Sequence, residues 1–357
     1  MKRFKIKKAE FCASLKSVAQ AKGDVFATID GDTVVFAGCG ENITIRSAQE
    51  IVPYYEKEQE KPATVGINAE VLIAALNAAS DEEVKCSIDD SGLRITSETL
   101  SLKSPVKHGD ILQEVTQDGV ALSDDSAAKF ASSVKAVEHA TEKGNIPILN
   151  AVSISVFKDG SYRVVCTDGR RVSVRGNLSP SDAPEMSVCI DRTDADAMLS
   201  SLGGKIESLT VGNASVCAKT GSVSASVRTL ALTFPDWEDF LSRRKETGKI
   251  DCSRSSLLAS CKVCSLVSAT RSGILDFSRQ GITTSAEGEY GSAKNAVSVI
   301  GGQIPYQVQQ KFDMLYLCDA AKALRDEIVT LSVAKSQSLV ITDSAGLEMI
   351  MPMRMRN

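Results

Sequence analysis

Histidine is almost missing from this chain: His108 and His139 are the only two among 357 residues. Neither has a cysteine or an acidic residue at metal-ligand spacing, which removes the usual zinc and general-base arrangements. Tryptophan occurs once, and aromatic residues make up 5%. No apolar run approaches the roughly 18 residues of a membrane span. Gly301-Gly302 lacks the Lys-Ser/Thr of a phosphate loop, and no G-x-S-x-G elbow is present. Ten cysteines are scattered singly, and Cys261 and Cys264 form the one CxxC. Without a second CxxC or a neighbouring histidine that pair is not a zinc motif, so the cysteines are read as reduced, mostly buried small apolar residues. The start, Met1 to Lys8, is basic without an apolar signal core, so a cytoplasmic protein is expected. A net charge of −4 argues against a nonspecific nucleic-acid coat. It allows one basic face on an acidic body, because the local field governs encounter. No cofactor, metal or catalytic constellation is indicated, and the chain is expected not to be an enzyme.

What is present is repetition. Lys85-Cys86-Ser87-Ile88 leads to Gly92-Leu93-Arg94-Ile95-Thr96. Ser208-Leu209-Thr210-Val211 leads to Ser215-Val216-Cys217-Ala218-Lys219. Thr330-Leu331-Ser332-Val333 leads to Ser338-Leu339-Val340-Ile341-Thr342. Each follows a helix-like stretch, near 68–80, 191–202 and 313–326. The copies lie about 120 residues apart, which points to three similar domains at 1–120, 121–246 and 247–357. Between the helices, Val34-Val35-Phe36, Ile43-Thr44-Ile45, Val152 to Val156 and Tyr162 to Cys166 have strand composition. Asp30-Gly31-Asp32, Lys158-Asp159-Gly160 and Arg279-Gln280-Gly281 mark turns, and Gln117-Asp118-Gly119 and Arg243 to Gly248 mark boundaries. Asp124-Asp125 and Glu82-Glu83 read as helix starts and turn residues. Each third is built twice over from a helix and a set of strands, an α+β class of two helices plus antiparallel sheet, three times.

The first helix of each copy carries one apolar stripe: Phe11, Leu15 and Val18; Phe130, Val134 and Val137; Leu257, Cys261 and Cys264. Lys16, Lys135 and Lys262 each follow the middle residue of that stripe. Lys8 and Arg254 share a position three before it, where copy two has Ala127. Any one such lysine is ordinarily a solvated helix face. Recurrence in three copies makes a common basic face the competing reading. His139, four residues after Lys135, reads as a surface residue.

Three further segments are Cys166-Thr167-Asp168-Gly169-Arg170-Arg171-Val172, Phe234-Pro235-Asp236-Trp237 and the end Met349-Ile350-Met351-Pro352-Met353-Arg354-Met355. Together and in this order they resemble the bacterial sliding clamp, the β subunit of DNA polymerase III. That family carries T-D-G-H-R-L-like, F-P-D-Y-like and M-P-M-R-L-like segments. The resemblance covers the whole chain in organisation and implies a clamp fold. Two subunits join head to tail in a pseudo-sixfold ring, with helices lining the hole and sheets outside. It implies a DNA sliding clamp, a processivity factor in DNA replication that encircles double-stranded DNA without sequence preference. Its partners would be a DNA polymerase and a clamp-loader ATPase, with no membrane association. Lys8, Lys16, Lys135, Arg254 and Lys262 would then face DNA.

The resemblance also implies a partner-peptide pocket between the second and third domains. Carried over, it comprises Leu149, Thr167, Gly169, Arg170, Arg171, Val172, Pro235, Phe240, Ile350, Met351, Pro352, Met353 and Arg354. Met-rich walls suit several peptides, since methionine repacks readily. The chain departs from the family at Arg170 in place of His, at Trp237 in place of Tyr, at Phe240 in place of smaller residues, and in the extension Arg356-Asn357. Such divergence suits a phage-borne or otherwise remote clamp. Leu266, and Leu100 or Leu102, are candidate subunit-interface residues. Two rival readings are a non-encircling repeat-built peptide-binding module and an enzyme on an α+β scaffold.

Overall fold

The computed structural model describes residues 2–53, 63–89, 92–105, 119–142, 144, 146–179, 183–279, 281–334 and 337–354. His108, Gln117-Asp118, Gln280, Met355 and Arg356-Asn357 lie outside the described residues.

The element order repeats a strand–helix–three-strand unit six times. The first third runs β1 (Lys2–Lys7), α1 (Lys8–Ala19), β2 (Asp24–Asp30), β3 (Thr33–Cys39), β4 (Ile43–Glu50) and a short β5 (Val52–Pro53). It continues with β6 (Ala63–Ile67), α2 (Ala69–Ala78), β7 (Glu83–Asp89), β8 (Gly92–Thr96) and β9 (Ser101–Ser104). The middle third has β10 (Val120–Ala121), α3 (Asp124–Val137), β11 (Ala151–Val156), β12 (Tyr162–Thr167) and β13 (Arg171–Gly176). Then come β14 (Met186–Asp191), α4 (Arg192–Ser201), β15 (Ser208–Val211), β16 (Ser215–Thr220) and β17 (Val223–Arg228), followed by a short α5 (Trp237–Ser242). The last third has β18 (Gly248–Ser253), α6 (Arg254–Val267), β19 (Ser272–Ser278), β20 (Gly281–Gly288), β21 (Gly291–Val297) and a short β22 (Val299–Gln303). It ends with β23 (Val308–Asp313), α7 (Met314–Ala323), β24 (Ile328–Val333), β25 (Leu339–Thr342) and β26 (Gly346–Ile350). The repeated sequence pattern is the β7–β8, β15–β16 and β24–β25 hairpin.

In each third the opening strand of one half joins the three-strand meander of the other. Thus β1 pairs with β7 and β6 with β2, β10 with β15 and β14 with β11, β18 with β24 and β23 with β19. The described residues fall into two compact units, Met1–Ala131 with Ile190–Leu230, and Ser132–Cys189 with Ala231–Asn357. In the first, β4 pairs with β17, giving an eight-stranded sheet beside a five-stranded one. In the second, β13 pairs with β26, giving a nine-stranded sheet beside a four-stranded one. Each unit thus takes one sheet of the middle third.

The helices begin where short polar side chains accept amide hydrogens. Asn68 accepts from the Val71 amide, Asp191 from Thr193 and Asp313 from Leu315, capping the second helix of every third. The nine stripe residues of α1, α3 and α6 are all at most 1% exposed. Each such burial stabilises by about 1.5–3 kcal/mol for the larger side chains. Nine of the ten cysteines are buried. Cys261 and Cys264 belong to a core with Phe277, Phe312, Leu317 and Ile341, where burial raises the Cys261 thiol well above its usual range. Such thiols behave as small apolar residues.

The opposite ends of the second helices differ. Lys8 Nζ donates to the Ala79 carbonyl at the end of α2 (2.8 Å). Arg254 donates to the Ala321 and Asp326 carbonyls at the end of α7 (3.1 and 2.9 Å). Both cations satisfy carbonyls that a helix end leaves open. In the middle third α4 ends in Gly203 and Gly204, at φ 62° and 72°, and the Gly204 amide reaches back to the Leu199 carbonyl. Left-handed glycines close that helix instead, which accounts for Ala127 where the others have a cation.

Candidate functional site

The Thr167–Val172 turn joins β12 to β13. The Thr167 hydroxyl donates to the Arg171 carbonyl (2.7 Å) and accepts from the Gly169 amide (3.1 Å). Asp168 accepts from the Arg170 and Arg171 amides (2.9 and 3.0 Å). Gly169 sits at φ 80° with open space where a Cβ would lie, so glycine is required by conformation and not by crowding. Gly169 and Arg170 are exposed at its tip.

Adjacent arginines divide the work. The Arg171 side chain is only 10% exposed. Its Nε donates to Asp168 (2.9 Å), one terminal nitrogen donates to Asp319 of α7 (3.0 Å), and the other donates to the His139 carbonyl. The guanidinium also lies 4.1 Å from the Tyr316 ring centroid. Burial, then the Asp168 carboxylate, raises the Tyr316 phenol above its usual range. Arg171 therefore anchors the turn, and Arg170 is the exposed arginine of the pair.

Beneath the turn lies a buried polar cluster. Glu348 Oε1 accepts from Ser173 (2.7 Å) and Arg175 (2.5 Å), and Oε2 lies 3.2 Å from His139 Nε2. The sequence places His139 at the surface; the structure does not. Here α3 stops at Val137, and a 3-10 turn swings the imidazole, 18% exposed, against Glu348.

Register decides which end-segment side chains meet the turn. Arg171 is opposite Ile350 and Val172 opposite Met349 on the β13–β26 ladder. The Met351 amide donates to the Arg170 carbonyl (2.9 Å). Because strand side chains alternate, Met349 joins Val165, Val172, Val174, Val340 and Leu347 on one face, whereas Ile350 enters the core on the other. Phe234, Trp237 and Leu241, from α5 and the segment before it, pack on the first face.

The structure thus brings Thr167, Gly169, Arg170, Arg171, Val172, Met351 and, by backbone, Ile350 together. Pro235 is exposed within the strap over the apolar face, and Phe240 on α5 is 47% exposed. Leu149 lies in a separate 3-10 turn at Pro147–Asn150, and Pro352 is half-buried beyond β26. Met353 bridges to Lys311 of β23, and with Arg354 lines a different depression, of about 780 Å³, on the four-stranded sheet. The pocket carried over from the resemblance leaves out Met349 and Trp237, although both lie in its motifs, and also Val340, Leu241, Tyr316 and Asp319. Two-residue alternation was a signal for Met349; only the folded chain brings α7 to the turn.

Lys16, Lys135 and Lys262 are exposed at equivalent positions of α1, α3 and α6, with Lys135 paired to Glu138 (3.3 Å). Lys8 and Arg254 spend donors on helix ends, as described. Among the described residues no group of three or more His, Cys, Asp or Glu is arranged to hold a metal ion, and no helix is long and apolar enough to cross a membrane.

No protein-family model matches the chain, and no curated protein does. Solved structures match over its whole length. The DNA polymerase III subunit beta from Pseudomonas aeruginosa aligns with a TM-score of 0.84 at 16% identity, covering 99% of this chain and 100% of that one. A putative DNA polymerase III beta subunit from Eubacterium rectale gives 0.87 at 12% identity, with 99% and 100% covered. The beta subunit from Thermotoga maritima gives 0.83 at 16%, with both chains covered completely. The Pseudomonas aeruginosa protein is also described as a DNA polymerase sliding clamp. This chain has the fold of those bacterial clamps.

Proposed function

We propose that this chain is a non-catalytic DNA sliding clamp. Two copies close head to tail around duplex DNA, and the ring tethers a replicative polymerase after loading by a separate ATPase. Residues 1–120, 121–246 and 247–357 act as its three equivalent domains.

The observation that carries this reading is a count of strand edges. Each of the six meanders ends in one outer strand: β4, β9, β13, β17, β21 and β26. Four are paired within the chain, as β4–β17 and β13–β26. Among the described residues β9 and β21 end their sheets unpaired. An open edge is a template for another strand. Pairing β9 of one copy with β21 of another repeats the two internal junctions, is heterologous, and closes after two copies if the three junctions belonging to each copy together turn the chain through half a circle. Exposed Leu266 (67%), Val263 and Tyr290 flank β21, with the Tyr290 amide bonded to the Val267 carbonyl. They supply the apolar contact for that junction, with half-buried Leu100 and Leu102 near β9 on the other side.

Lys16, Lys135 and Lys262 supply the phosphate-facing charge. A few such contacts bind DNA without reading sequence and permit sliding. The turn at Gly169 and Arg170, the Met351-Pro352 segment and the strap bearing Pro235 and Phe240 form the partner-peptide site. Met349, buried beneath the strap, supports that site from below.

Retention on circular DNA tests the encircling claim. Protein assembled on a nicked circular plasmid should stay bound through gel filtration in high salt and be lost once the plasmid is cut. Equal loss from circular and linear DNA would favour a peptide-binding module that does not encircle.

A further inference from the structure

A six-residue helix such as α5 is far below the length at which a helix is stable by itself. Yet Phe234, Trp237 and Leu241 cover the Val172–Met349 face, and Pro235 and Phe240 ride on the same strap. Something outside the helix must hold it in place.

One guanidinium meets the start of that helix. Arg163 of β12 is buried, its side chain 4% exposed. Its Nε donates to the Asn177 carbonyl and one terminal nitrogen to the Ser179 carbonyl, both at 2.6 Å. The other terminal nitrogen donates to Glu238 Oε1. The same group lies 5.0 Å from the Phe157 ring and 5.7 Å from the Trp237 ring. Trp237 and Glu238 are the first two residues of α5. Downstream, Arg244 donates to Ser332 and Ser338 at the β24–β25 hairpin. The strap is therefore tied at both ends, and only the Arg163 end grips residues of α5 itself.

We propose that Arg163 is a positioning residue for the peptide site, acting through Trp237 and Glu238 to fix the wall that carries Pro235 and Phe240. This rests on the peptide-site reading above. A planar fork does this better than an ammonium, since it satisfies two carbonyls and a carboxylate while keeping its charge over the Phe157 and Trp237 rings. A site held to a fraction of an ångström depends on such support behind the groups that touch the ligand.

Trp237 is the only tryptophan, so its fluorescence reports on the wall directly. The variants are Arg163→Lys, which keeps charge and loses the fork, and Glu238→Gln, which removes the ion pair at a partly exposed position and preserves folding. The probe is a nine-residue peptide selected from a random library on the full-length protein and chosen because Met351→Ala abolishes its binding. Both variants should shift Trp237 emission to the red, increase its quenching by iodide, and weaken the peptide by about tenfold. Wild-type emission and affinity in both would overturn the proposal. So would shifted emission with unchanged affinity, which would leave Arg163 holding a strap the peptide does not use. A library yielding no peptide sensitive to Met351→Ala would overturn the peptide-site reading, and this inference with it.

Discussion

The recurrent lysines of the first helices and the enclosed arginines of β12 and β13 use charge in opposite ways. Lys16, Lys135 and Lys262 are exposed at one helical position in three copies. Arg163, Arg171 and Arg175 have side chains at most 10% exposed, occur once each, and donate to carbonyls and carboxylates. Exposed charge acts at long range and costs little to change. Buried charge fixes geometry, and removing one partner strands the other. In the proposed clamp, repetition marks the surface used three times, and dense bonding marks the framework of a site used once.

The sharpest break in this comparison is at Glu348. Glu348→Ala strands Arg175 in the interior and should lower stability by about 3–5 kcal/mol, read as a lower urea midpoint. Neutralising Lys16, Lys135 and Lys262 together should leave that midpoint nearly unchanged. It should instead lower the salt slope of DNA binding by about 0.9 for each phosphate no longer neutralised. An unchanged slope would remove these lysines from the DNA face.

Lys8 and Arg254 sharpen the contrast, because they recur like the surface lysines but are bonded like the buried arginines. Lys8→Ala or Arg254→Ala should cost about 0.3–1 kcal/mol of stability through the helix ends and leave the salt slope alone. The smallest expected effect is at Asp81. Hydrogen bonds from Ser97, then Thr99, lower its carboxyl to about 2 from 3.8. A depressed carboxyl contributes stability that is present above the ordinary value and lost as pH falls through the lowered one. Local protection of the Ser97–Leu100 turn before β9, followed by hydrogen exchange, should therefore fade between about pH 4 and pH 2, and Asp81→Asn should abolish that dependence.

Much of this was legible in the sequence, because its signals are local. The apolar stripes predict three helices whose nine stripe residues are all buried, and the Asn68, Asp191 and Asp313 starts are side-chain caps. The turn at Thr167–Val172 and its pairing partner were visible as motifs. What sequence reading could not supply depends on register and on distant packing. Ile350 and Met349 exchange roles by one step of a strand. Lys8 and Arg254 look like surface cations until the ends of α2 and α7 come to meet them. His139 looks exposed until its helix stops short and turns it onto Glu348.

The most direct test of the account is the solution mass together with low-resolution shape. Light scattering should give about twice 38.0 kDa, and small-angle scattering should require a central hole, if β9 and β21 pair across copies as proposed. A compact monomer with both edges open to hydrogen exchange would contradict the closed ring.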